Sequence, residues 1–185
     1  RINTADVYGE RQQPGKGINL VKRTIVENLG LSVDNYVRVD FGGFEQIVDT
    51  LGGITVTMDC PLHERWADPG APGGVVVLDY EPGDHALDGQ HALWYVRTRR
   101  RGNDLDRARR QQRVLLALKG RAEEVNLLPK VPDLFSALRD NVDTDLNLLD
   151  VLALARLGIE LKREDIHSRV FDFQMAQPYT TAGGA

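Results

Sequence analysis

The sequence predicts an α/β domain built in layers, on three observations. Helical and extended hydrophobic patterns alternate along the first part of the chain, an order that favours helices packed on strands. The chain has 185 residues, 42 % hydrophobic and 27 % charged, the proportions of one soluble globular domain or at most two small ones. A chain of that size buries roughly 70 % of its unfolded surface and needs no staples. The single cysteine, Cys60, excludes an internal disulfide framework and any zinc site built on several thiolates. Apolar runs such as Val114–Leu118 fall far short of the roughly 18 residues that span a bilayer. Arg1–Glu10 is polar and has no signal-peptide pattern. The chain lacks an initiator methionine and reads as a fragment, with any targeting segment upstream of it.

Gly17–Leu29 reads as a helix with Ile18, Val21, Ile25 and Leu29 as its apolar stripe and Gly30 as its C′ residue. Asn35–Asp40 alternates and reads as a strand. Gly43–Leu51 is a second helix, with Phe44, Ile47, Val48 and Leu51 on one side and Gly52-Gly53 at its end. Ile54, Val56 and Met58 alternate with Thr55 and Thr57, the pattern of a half-buried strand. Asp59–Gly74, which carries His63 and Trp66, reads as a loop. Val75–Tyr80 is a strand or extended edge, and Glu81–Asp84 a turn. Asp88 caps a short helix through Tyr95 with Ala92, Leu93 and Val96 inward. Asp104 caps a long helix to about Val125, with Leu105, Ala108, Leu115, Leu118 and Ala122 as its apolar side. Pro132 opens a helix bearing Leu134, Phe135 and Leu138. Thr144 caps Asp145–Leu157, which Gly158 closes. Ile166–Phe173 reads as a last strand, and Ala176–Ala185 as a frayed tail.

Charge supplies the functional lead. The net charge is −4, yet the 17 residues from Arg97 to Arg113 hold eight arginines and two aspartates, a local charge of +6. An acidic chain with one concentrated arginine block suggests a local anion site, not a broad polyanion-binding face. Arg107 and Gln111 are one helical turn apart and share a face, with Asp104 beside Arg107. Leu115 continues that face toward the core. Cations in the first turns of a helix oppose the macrodipole by a few tenths of a kcal/mol each, which a bound anion would offset. Guanidinium groups grip phosphate oxygens in pairs, and pyrophosphate offers many acceptors in a small volume. The alternative is a solvated helix face with a few ion pairs, to which Arg100, Arg101, Arg109, Arg110 and Arg113 also conform. No nucleophile motif surrounds Cys60, Ser32, Ser136 or Ser168, and the four histidines lack metal-ligand spacing.

From Gln90 the chain reads Gln-His-Ala-Leu-Trp-Tyr-Val-Arg-Thr-Arg, and from Asp104 it reads Asp-Leu-Asp-Arg-Ala-Arg-Arg-Gln-Gln. This resembles the signature of the LytR-CpsA-Psr family, the cell envelope-related transcriptional attenuators: Ala-Leu-x-Tyr-x-Arg-x-Arg followed by Asp-x-x-Arg-x-x-Arg-Gln. Arg1-Ile2-Asn3-Thr4-Ala5 is similar to its Lys-Ile-Asn-x-Ala. Asn35–Phe41 and Leu51–Ile54 are similar to its Tyr-Val-x-Val-Asp-Phe and Leu-Gly-Gly-Val. The resemblance runs from Arg1 to about Phe173.

The resemblance implies a mixed central β-sheet flanked by helices on both sides, with a hydrophobic tunnel for a prenyl chain. It implies an extracytoplasmic phosphotransferase, membrane-anchored as a whole protein. Such an enzyme moves a phosphorylated glycopolymer, such as teichoic acid, from a polyprenyl pyrophosphate carrier to a wall acceptor, usually peptidoglycan. By position, Arg97, Arg99, Arg107 and Gln111 would be the catalytic, pyrophosphate-holding residues, with Asp104 in support and Arg1 where the family has lysine. Mg²⁺ is the implied cofactor. The family's domain begins well upstream of the Lys-Ile-Asn motif. One incomplete domain is therefore expected over 1–175, with a tail over 176–185 and the acidic metal ligands outside this chain. The Leu-rich stretches Leu127–Leu138 and Leu146–Leu157 would line the tunnel or be plain core.

Two other readings compete. A domain that holds a phosphorylated envelope lipid or polymer without turnover would use the same arginines. A helix-turn-helix DNA binder would also place arginines on a second helix. Against the latter stand the acidic overall charge, the long link between the helices and the absence of aromatics among the arginines. No nucleic-acid partner is expected.

Overall fold

The computed structural model describes residues 2–98 and 104–167. The expected tail, and most of the expected strand Ile166–Phe173, lie outside these residues. Seven helices and six strands form the described part. The helices are α1 (Ile2–Gln12), α2 (Gly17–Leu29), α3 (Phe41–Thr50), α4 (Gly89–Arg97), α5 (Asp104–Glu124), α6 (Val131–Ala137) and α7 (Leu148–Glu160). The strands are β1 (Val37–Val39), β2 (Ile54–Met58), β3 (Leu62–Ala67), β4 (Val75–Tyr80), β5 (Gly83–Leu87) and β6 (Val142–Thr144). The α/β class holds. Among the described residues the strands pair as three antiparallel ladders, β1 with β6, β2 with β5 and β3 with β4. The registers pair Arg38 with Asp143, Val56 with His85 and Glu64 with Leu78.

Two apolar clusters sit on either side of α4. One joins Val48 of α3, Ile54, Val56 and Met58 of β2, Leu87 of β5, Ala92 and Tyr95 of α4 and Val114 of α5. The other joins Ala71, Val76, Leu78 and Trp94. Five of the nine residues of α4 are buried, so this short helix is fixed from two directions. Its start depends on Gly89: a Cβ there would lie 2.4 Å from the Glu45 carbonyl oxygen, so only glycine lets α4 approach α3 this closely. Asp88 caps the helix, accepting from the His91 N–H at 2.8 Å.

Several expectations change. The expected loop Asp59–Gly74 contains β3, whose inward residues are Leu62, Glu64 and Trp66 and whose outward ones are His63 and Arg65. A glutamate at an inward position hid the alternation. The expected turn Glu81–Asp84 runs into β5, which pairs along the whole of β2. The N-terminal helix α1 was not legible because it has no apolar stripe; Val7 and Tyr8 are about half exposed. It is held instead by glycine contact and polar bonds. A Cβ on Gly9 would lie 2.7 Å from the Gly17 Cα, and the Glu10 carboxylate accepts from Gly15 N–H at 2.7 Å and Gly17 N–H at 3.0 Å. Those amides hold the Glu10 carboxyl below its ordinary value. Arg38 then ties α1 to the β1–β6 ladder, reaching Asp6, Glu10 and Asp143 at 3.2, 3.3 and 2.7 Å.

Leu115 is 65 % exposed and does not reach the core; Val114 does, at 1 %. Successive helix residues are rotated by about 100°, so Val114 and Leu118 set the buried line and Leu115 faces away. Thr144 ends β6 and donates to the Tyr36 carbonyl at 2.6 Å, so it does not cap α7. That role falls to Asn147, which accepts from Leu149 and Asp150 N–H in a capping box. Gly158 lies inside α7, which continues to Glu160. Asp104 is already the first residue of α5, so the cap position falls on residue 103, outside the described residues.

Candidate functional site

The arginine block is distributed over two elements that the core fixes in place. Helix α4 ends at Arg97, whose side chain is exposed. A cation is favoured at that C-terminal end by the helix dipole. The Arg97 guanidinium lies 4.3 Å from the centre of the Phe41 ring, and Phe41 is itself 58 % exposed. An exposed cation–π contact is worth about 0.5–1 kcal/mol, a tether that a phosphate could displace. Phe41 opens α3, directly after the Asp40 cap, which accepts from Gly43 N–H at 2.7 Å.

Helix α5 presents two flanks around the buried Val114. On one, Arg107 is half-buried and Gln111, one turn on, is exposed. On the other are Arg109, Arg110 and Arg113, which border a cleft of about 410 Å³ together with Asp59, Cys60 and Glu64. Arg110 donates to the Thr98 carbonyl at 2.6 Å and lies 6.0 Å from the centre of the Tyr95 ring. The Thr98 hydroxyl in turn donates to the Glu64 carboxylate, which is 6 % exposed. The second Glu64 oxygen and the Arg110 Nε are buried and have no bond among the described residues. Arg113 pairs with Asp59, and Arg109 with Asp106 at 3.4 Å. Arg110 is thus a packed structural residue, not the solvated side chain that charge counting suggested. Its spacing of four from Val114 is the sequence signal that places it on the inward side.

Of the expected pyrophosphate-holding residues, the structure brings Arg107 and Gln111 onto one face of α5 and sets Arg97 at the end of α4. Arg99 and Arg1 lie outside the described residues. Asp104 stands at the first turn of α5. Among the described residues no three histidine, cysteine, aspartate or glutamate side chains converge to hold a metal.

A second feature adjoins Arg97. The Leu-rich stretches do not form a sealed core; they line an apolar groove of about 410 Å³. Val37 and Val39 of β1 and Val142 of β6 form one wall, with Leu134 and Phe135 of α6 and Val151 and Leu154 of α7 opposite. Val39 lies two residues before Phe41. The β1–α3 junction therefore carries a groove-wall residue and, two positions on, the ring that Arg97 lies over. Helix α7 leaves Leu149, Leu154 and Leu157 exposed, each by more than half. No helix among the described residues is long and apolar enough to cross a membrane.

The sequence profile of the LytR_cpsA_psr family matches residues 1–181. The chain is 32 % identical over 164 residues to the polyisoprenyl-teichoic acid–peptidoglycan teichoic acid transferase TagT of Bacillus subtilis, covering 88 % of this chain and 50 % of that protein. It is 32 % identical over 150 residues to the transferase TagU of Oceanobacillus iheyensis, covering 80 % of this chain and 43 % of that protein. The crystal structure of B. subtilis TagV superposes with a TM-score of 0.69 at 28 % identity, over 90 % of this chain and 59 % of TagV. The chain spans about half the length of the curated relatives it matches.

Proposed function

The chain belongs to the LytR_cpsA_psr family, and from that premise we propose that it forms the carrier-binding part of a phosphotransferase. Its donor would be a phosphorylated glycopolymer on a polyisoprenyl pyrophosphate, and its acceptor a wall polymer such as peptidoglycan. The observation that carries this reading is the adjacency of an exposed arginine and an apolar groove: Arg97 over Phe41, two residues from the groove wall at Val39. A ligand that satisfies both must join an anionic head to a long apolar tail. The named activities of TagT and TagU, on polyisoprenyl-teichoic acid, support it.

The chemistry asks for charge stabilisation, which guanidinium groups supply without a covalent nucleophile. The acceptor hydroxyl oxygen bonds to the glycopolymer-side phosphorus. The bond from that phosphorus to the bridging oxygen breaks, the isoprenyl phosphate leaves, and the hydroxyl proton passes to the leaving phosphate or to water. Arg97, Arg99, Arg107 and Gln111 would hold the pyrophosphate and meet the charge that grows on its oxygens, with Arg1 and Asp104 in support. The described residues offer no metal-ligand set, so no step is assigned to Mg²⁺ on this chain. In this reading Mg²⁺ accompanies the pyrophosphate, where it would offset charge on the leaving oxygens. The site belongs on the extracytoplasmic side of the membrane, where wall acceptors are.

Calorimetric titration with geranylgeranyl pyrophosphate tests the reading, with inorganic pyrophosphate, geranylgeraniol and a DNA duplex as controls, each with and without Mg²⁺. The reading expects binding that needs both head and tail and is strengthened by Mg²⁺. Equal binding of inorganic pyrophosphate alone, or tighter binding of the duplex, would overturn it.

A further inference from the structure

The apolar groove does not end at α7. A second apolar cavity of about 280 Å³ lies beyond it, lined by Ala122, Leu127, Ala155, Gly158, Ile159 and Leu161 among others. Leu127 and Ala155 line both spaces, so they form the partition between them. The charged residue at the far cavity, Lys119, has its ammonium paired with Glu123, which leaves its carbon stem to the wall.

Gly158 is the unusual member. It sits inside α7 at a helical position, where glycine costs about 1 kcal/mol relative to alanine. Close packing does not require it, because a Cβ built there would have no atom within 4 Å. It follows Ala155 by three residues, so the two small positions lie on the same face. The sequence thus leaves room along α7 that its own packing does not use.

We infer that Ala155 and Gly158 set the length of isoprenoid chain the protein accepts, because small residues at and beyond the Leu127–Ala155 partition leave room for the distal end of the tail to cross from the groove into the second cavity. This rests on the carrier-lipid reading above. An apolar tail suits the far cavity because its lining is aliphatic apart from Lys119, and hydrocarbon laid there takes apolar surface out of water. Short isoprenoids would occupy the groove alone. Longer ones would thread past Leu127 and Ala155.

The test is a ladder of farnesyl, geranylgeranyl and heptaprenyl pyrophosphate, titrated into the wild-type chain, Gly158→Leu, Gly158→Ala and Ala155→Phe in one mild detergent. The wild type and Gly158→Ala are expected to bind the longest ligand about tenfold or more tightly than the shortest. Gly158→Leu fills the far cavity and Ala155→Phe closes the partition. Gly158→Leu should hold farnesyl pyrophosphate as the wild type does, and both variants should lose the gain with length. Melting curves check folding, and Gly158→Leu has open space for its side chain. If Gly158→Leu and Ala155→Phe follow the wild type along the whole ladder, or if wild-type affinity does not rise with length, the inference fails and the carrier reading stands. If the wild type binds no member of the ladder, both fail.

Discussion

The cleft-side flank of α5 and the end of α4 carry the same residue type and put it to different uses. On the cleft side, Arg110 bonds a backbone carbonyl, lies 6.0 Å from the centre of the Tyr95 ring and lines the same cleft as buried Glu64. Arg113 and Arg109 each have a carboxylate. Toward the groove, Arg97 has an aromatic ring and no carboxylate against its guanidinium among the described residues. An arginine already neutralised within the chain has little field left for a ligand, whereas one held by a ring keeps its charge available. The difference teaches that local partners, and not the density of arginine in the sequence, separate packed cations from those whose charge stays open to solvent.

That contrast can be broken most visibly at Arg110. Arg110→Ala removes the charge-assisted bond to the Thr98 carbonyl, so a loss of about 1–3 kcal/mol is expected in urea unfolding. Arg97→Ala should do the reverse. Its side chain is exposed, so stability should stay within about 0.5 kcal/mol, while affinity for an isoprenyl pyrophosphate falls at least about tenfold, as expected for one lost charge-assisted contact. Arg107→Ala should lower the same affinity by a similar factor. A stable Arg110→Ala or an unstable Arg97→Ala would erase the distinction between the α5 cleft and the end of α4.

A smaller effect appears with pH. Backbone amides at Gly15 and Gly17 hold Glu10 below its ordinary value, and the Tyr36 amide, with Lys22 and Asn35, does the same for Asp145. At Asp88 burial pushes upward, but the His91 amide and ring outweigh it and the net direction is down. Depressed carboxylates contribute stability that is fully present above their unfolded values, 4.5 for Glu10 and 3.8 for the aspartates. That contribution is lost as pH falls through the lower folded values. The urea midpoint should hold steady near neutrality and drop in acid, and Glu10→Gln should flatten part of the drop. The smallest effect is expected at Arg113, whose pair with Asp59 is a third to two-thirds exposed; Arg113→Ala should change stability by about 0–1 kcal/mol.

Where the chain advertises its structure through periodicity, the sequence was legible. Helix α2 follows its expected bounds and ends at Gly30 with φ 67°, and β2 alternates buried and exposed residues as its Thr-Val pattern demands. Helix α1 escaped because glycine contact and carboxylate–amide bonds replace an apolar face. Strands β3, β5 and β6 escaped because an inward glutamate, a Pro-Gly turn and a three-residue length leave little period to read. In the site, the shared face of Arg107 and Gln111 followed from spacing alone. The packed role of Arg110 did not, because its partners Thr98 and Tyr95 come from α4 and its cap. The groove was half legible. Leucine counts pointed to α6 and α7, but whether such leucines seal a core or line a space depends on how β1 and β6 meet them.

The most direct test of the account is a paired measurement on the wild type, Arg97→Ala and Arg110→Ala: geranylgeranyl pyrophosphate affinity by calorimetry beside unfolding free energy in urea. The account predicts that Arg97→Ala loses affinity at wild-type stability and that Arg110→Ala loses stability while its folded fraction still binds. Undiminished binding by Arg97→Ala would contradict the assignment of the groove-side arginine to the ligand.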